Sequence, residues 1–218
     1  MKKTRDSIAA VDANLMWAAA CTAYRLNNGY YKQPELIGDQ VVRYTNRDLV
    51  EQALANAALI TDADRAMGQD CRRHMATAVT MQALRTELNE WARVTAQVCS
   101  LDTITSRYDM SVITAMPHSY ARQLRKESVD ARLARCDEGA VGNMGAKVEL
   151  NIEVMRSNYS EKYNTWFVSA ITDTNHSVFF SYRESIEPDA HVAIRGTVKR
   201  HNDRSTQLNR VKVLGDNK

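Results

Sequence analysis

The stretch Asp137–Arg156, "DEGAVGNMGAKVELNIEVMR", divides the chain into two kinds of pattern. Gly139, Gly142 and Gly145 fall close together in a protein with only 8 glycines. Such a run reads as a linker. Immediately after it, Val148, Leu150, Ile152 and Val154 alternate with charged or polar neighbours. That period of two belongs to a strand with one buried face.

Downstream of this point the alternation continues. "YNTWFVSAITD" and "HSVFFSYR" are rich in aromatic and β-branched residues, and Asp173–His176 suits a tight turn between them. "AHVAIRGTVKRH" and "TQLNRVKVL" complete a set of five strands. Five short antiparallel strands without a long helix close most naturally into a small barrel. Gly196, in the middle of the fourth, suits a bend or bulge.

Upstream the period is helical. Ile8, Val11, Leu15, Ala18 and Thr22 follow three-four spacing, and "NNGYYKQP" (27–34) stops that helix near Gly29. Thr45 with Asp48 and Thr61 with Asp64 resemble capping boxes. Apolar residues recurring from Met67 through Leu84, Leu88 and Trp91 to Val98 predict one helix of about ten turns. A last helix is expected from Pro117 to Arg135, because proline suits a first turn. The expected organisation is α+β: a helical domain over 1–136, a linker over 137–146, and a β-barrel domain over 147–218.

Composition sets further bounds. The net charge is +3, with 44% hydrophobic and 25% charged residues, as in an ordinary globular protein. Cys21, Cys71, Cys99 and Cys136 are scattered without a CxxC pair, so reduced buried thiols in a cytoplasmic setting are expected. "MKKTR" followed by "LMWAAAC" imitates a secretory leader, but Asp6, Asp12 and Asn14 interrupt it. No apolar run approaches the roughly 20 residues of a membrane span. No Walker or dinucleotide-binding glycine motif occurs, and no histidine pair has metal-ligand spacing. No cofactor or metal is therefore expected, and the pattern favours a non-enzyme.

The charge is instead concentrated. Between Arg195 and Lys212 the closing hairpin carries six Lys or Arg against one Asp. Lys199, Arg200, His201, Arg204 and Arg210 are the phosphate candidates. Aromatic residues that neighbour one another on a strand point to opposite faces, so Trp166 and Phe167, or Phe179 and Phe180, cannot all be core. Tyr159, Tyr163, Phe167, Phe179 and Tyr182 are therefore candidate stacking rings. Rings beside cations are the equipment of single-strand binding.

The segment "IRGTVKRHNDRSTQLNRVKV" also resembles a C-terminal module of tailed-bacteriophage DNA-metabolism proteins. Gly196, Thr197, Val198, Lys199, Arg200 and His201 match one part of that pattern, and Thr206, Leu208 and Arg210 the other. The resemblance implies an OB-like barrel. It further implies non-catalytic binding of single-stranded DNA in phage replication or recombination, inside the infected bacterial cell. RNA stays open as a ligand, and phage replication proteins as partners. The alternative is a helical assembly or adaptor protein that self-associates or binds a protein. The connection "ESIEPD" after the third strand is too short for the helix usual in OB folds.

Overall fold

The structure is a computed structural model that describes residues 7–214. The basic start of the leader-like stretch, at 1–5, lies outside the described residues. The chain is mixed helix and sheet and divides into two compact units, Met1–Leu124 and Arg125–Lys218.

In the first unit, β1 (Ser7–Asp12) leads into α1 (Ala13–Asn27). The expected helix from Ile8 is corrected here: Asp12 caps α1 by accepting from Leu15 N, and the residues before it pair with β4 (Thr103–Ser106). Asn28, rather than Gly29, takes the left-handed cap at φ 48°. A hairpin that helical periodicity could not announce follows, β2 (Glu35–Ile37) and β3 (Gln40–Arg43). Both expected capping boxes form, Thr45 with Asp48 opening α2 (Asn46–Ala55) and Thr61 with Asp64 opening α3 (Asp62–Ala83).

The single ten-turn helix is also corrected. α3 ends at Ala83, and α4 (Glu90–Ser100) starts afresh with Asn89 accepting from Ala92 N. The new cap changes the phase of the buried stripe. Ala92, Thr95, Val98 and Cys99 are buried, whereas Leu84 and Trp91 are exposed. α5 (Arg107–Ala134) begins about three turns before the expected start and holds Pro117 in its interior.

The core of this unit surrounds Trp17 and Met16 on α1, with Val50, Cys71, Ile104, Ile113 and Met116. Cys21, Cys71 and Cys99 lie buried and unbonded, and burial pushes the thiols of Cys21 to about 12 and Cys99 to about 11. Asp64 is a buried carboxylate with four partners: Arg25, Thr22, and both the N–H and the hydroxyl of Thr61. Burial alone would raise its pKa. The Arg25 guanidinium and the threonine hydrogen bonds outweigh burial and hold it at about 2. The folded value lies below the ordinary 3.8, so the ionised group adds stability above pH 4, and that stability is lost as pH falls towards 2. Acid titration followed by circular dichroism should show wild type losing about 2 kcal/mol more than Asp64→Asn across this window. Equal losses would mean that the network contributes nothing.

The second unit contains β5 (Lys147–Ser160), β6 (Thr165–Thr172), β7 (Ser177–Tyr182), β8 (His191–Asn202) and β9 (Ser205–Leu214). They close a barrel in the order β5-β6-β7-β9-β8, antiparallel throughout except β7 against β9. Val154, Val168, Ala170, Val178, Phe180, Ile194, Val198 and Leu208 fill it, with Ile186 from the β7–β8 connection. Gly196 sits where the β8–β9 register shifts, and a Cβ there would stand 3.2 Å from Val211. Opposite it Arg210 takes φ 51°, the left-handed region that favours glycine.

The barrel unit begins at Arg125, inside α5, ahead of the glycine-rich stretch. A bulge between Val154 and Arg156 in β5 lets Met155 leave the barrel's alternation. Met155 and Ile171 are buried with Val129 on the last turns of α5, flanked by Leu133 and Cys136. Arg132 forks onto Glu153 at 2.6 and 2.7 Å, Arg125 meets Asp189 at 2.8 Å, and Arg156 pairs with Asp130. The stretch 137–146 is held to the barrel as well. Asp137 N–H donates to Asn175 O, Val141 N–H to Thr206 Oγ1, and Gly145 N–H to Val198 O.

Candidate functional site

Strand alternation decides which rings of the barrel look outward. Register pairs Trp166 with Tyr182, Val168 with Phe180 and Ala170 with Val178; the last two pairs are buried in the core with Tyr182 packed against them, and Trp166 is half-buried on the same face. Phe167, Ser169, Phe179 and Ser181 form the opposite face. Phe179 then pairs with Gln207 across the parallel ladder, and Gln207 with Arg200 on β8. One row of side chains, Ser169–Phe179–Gln207–Arg200, therefore crosses four strands on the outer surface.

The rings on this face make a continuous strip. Phe167 and Phe179 lie nearly parallel, 5.8 Å apart and inclined by 15°. Tyr163, in the β5–β6 turn, meets the edge of Phe167 at 5.9 Å and 78°. Lys162 places Nζ 5.3 Å from the centre of the Tyr163 ring. The strip thus runs Lys162, Tyr163, Phe167, Phe179, Gln207, Arg200, with a cation at each end and aromatic faces between. Neighbouring rings at these separations stabilise one another by about 0.5–1.5 kcal/mol per pair.

The other candidates separate from this strip. Tyr182 packs against the barrel core, on the side of Trp166 and Phe180. Tyr159 is exposed, but it leans on Trp166 at 5.3 Å and donates its hydroxyl to Asn164 Oδ1. Arg204 turns to the end of α5, donating to Ala134 O at 3.2 Å and standing 3.8 Å from Glu138. Lys199 is the bulged residue between Val198 and Arg200 and is exposed. His201 is exposed too, with Nδ1 3.3 Å from Thr206 Oγ1. Arg210 is exposed at the Gly196 bulge.

Gln207 and Lys162 complete the strip beside the residues expected from the sequence. Their signal was present in the sequence: Gln207 alternates with the buried Thr206 and Leu208, and Lys162 adjoins Tyr163. Among the described residues no group of His, Cys, Asp or Glu could hold a metal ion, and no helix is long and apolar enough to cross a membrane. The chain matches no known family, no curated protein and no solved structure.

Proposed function

We propose that the barrel unit binds single-stranded nucleic acid, with single-stranded DNA as the natural ligand, and does so without catalysis. The observation that carries this reading is the outward strip of Tyr163, Phe167 and Phe179 bounded by Lys162 and Arg200. Bases stack on such rings for about 1–3 kcal/mol each, while the cations follow the phosphates. The strand order, with β5 paired to both β6 and β8 and β7 parallel to β9, supports an OB-type barrel. In that architecture the second and third strands and the 1–2 and 4–5 loops form the binding face. Here those are β6, β7 and the turns at 161–164 and 203–204, where the strip lies. Lys199, Arg200, His201 and Arg210 serve the phosphates. Arg204 joins them only by releasing Ala134 O and Glu138. The resemblance of the closing segment to phage DNA-metabolism modules is what suggests a role in replication or recombination in an infected bacterial cell.

Fluorescence anisotropy with labelled single and double strands over a salt series tests this reading. Lys199→Gln with Arg200→Gln should reduce the log–log salt slope by about 0.7 for each lost contact. Phe167→Ala should lower affinity with little change of slope, because stacking releases no counterions. Wild-type affinity and slope in all variants would remove the proposal.

A second reading, self-association or binding of a protein partner, draws on the β2–β3 hairpin. Leu36, Ile37, Val41, Val42 and Tyr44 are all exposed there, an unusual density of apolar surface. A solution mass above one chain, with no polyanion binding, would favour it.

A further inference from the structure

The segment "NNGYYKQP" stops α1, yet it also builds one wall of a cavity of about 160 Å³ in the first unit. Tyr30, Tyr31 and Lys32 line it from this segment, Thr45 and Arg47 from the start of α2, and Ser111 and Thr114 from α5. We propose that this cavity is a binding site for a phosphate group, separate from the barrel strip.

The wall is fixed before any ligand arrives. Asn46 is fully buried, and its amide is used at both ends. Nδ2 donates to Gly29 O, and Oδ1 accepts from Tyr31 N–H and Asn27 Nδ2. Asn46 N–H donates in turn to Tyr31 O. These bonds pin the loop that carries Lys32 against the helix that carries Arg47, as a preorganised site requires.

The lining is cationic, and its charge is not cancelled. Among the described residues neither Lys32 nor Arg47 is in an ion pair. The acidic side chains of α2 are engaged elsewhere, Asp48 in the capping box and Glu51 with Arg107 at 3.8 Å. Thr45 Oγ1 accepts from Asp48 N–H, which leaves its own proton to donate. The site does not depend on free helix amides, since those of Asn46 and Asp48 are already bonded. It depends on a lysine, an arginine and a hydroxyl around a small, partly open cavity. A lysine point charge with an arginine fork is a phosphate-binding pair.

Size narrows the ligand further. A water occupies about 30 Å³ of liquid, and sites for drug-sized ligands start near 300 Å³. The cavity therefore takes a phosphate group and leaves any attached sugar and base outside. Such a group could be inorganic phosphate or the terminal phosphate of a strand.

Isothermal titration of the full chain with inorganic phosphate, at ionic strength matched with chloride, tests the site. Saturable binding is expected, weakened about tenfold or more in Lys32→Gln with Arg47→Gln. Lys199→Gln with Arg200→Gln removes equal charge at the barrel and should leave phosphate binding intact, so failure here and failure of the strip are distinguishable. A 5′-phosphate that tightens trinucleotide binding over the unphosphorylated strand, with the gain lost in the Lys32 and Arg47 double variant, supports a strand-end site, and a 5′-phosphate without such a gain supports a free-anion site. Phosphate binding no better than chloride, or unchanged in the Lys32 and Arg47 double variant, overturns the proposal. Both substituted residues are exposed, so circular dichroism should report a wild-type fold.

Discussion

Phe180→Ala should destabilise the barrel by about 3–5 kcal/mol, while Phe179→Ala, one residue away, should leave it folded and impair binding instead. The two rings are neighbours in sequence and opposites in environment. Phe180 is fully buried among Val168, Val178 and Ile194, and its removal leaves a cavity that a closed barrel cannot collapse. Phe179 faces outward, stacked on Phe167, so its loss costs the fold about 1 kcal/mol of ring contact. Its loss should cost single-strand affinity about 1–3 kcal/mol. Urea unfolding and anisotropy on the same two variants measure both effects. If both variants lose stability equally, the strip is core and not surface.

Gly68→Ala should destabilise the first unit by about 1–3 kcal/mol. In a helix interior the same change normally stabilises by about 1 kcal/mol, so the sign of the result is diagnostic. Gly68 lies on α3 where that helix crosses α1. A Cβ there would stand 2.9 Å from both Ala18 N and Trp17 C. Those contacts are backbone atoms and cannot rotate away, so the two helices would have to separate around the fully buried Trp17. A rise in melting temperature for Gly68→Ala would contradict so close a crossing.

The barrel was legible in the sequence because its strands obey a period of two and each is bounded by turn residues. Val148, Leu150, Ile152 and Val154 alternate as read, until the bulge at Met155 breaks the pattern. The aromatic faces were only partly legible. Period two puts Tyr182 with Phe180, so Phe179 and Tyr182 belong to opposite faces of one strand. Arg204 was beyond reach, because its partners Ala134 and Glu138 are far from it in sequence. The capture of α5 by the barrel was hidden for another reason. Val129 and Leu133 sit among Arg125, Asp130 and Arg132, and only the outward Met155 and Ile171 give that narrow apolar face something to cover. In the first unit, Leu84, Leu88 and Trp91 continued the three-four spacing of α3 past its end. Spacing alone could not reveal that Asn89 caps a new helix with a different buried stripe.

Photo-crosslinking of oligodeoxythymidine to the full chain, with the modified peptides mapped by mass spectrometry, tests the central claim most directly. The predicted result is crosslinks at Tyr163, Phe167 and Phe179, lost in competition with unlabelled single strand and weakened by Arg200→Gln. Crosslinks confined to residues outside the barrel, or none at concentrations where the oligonucleotide is retained, would contradict it.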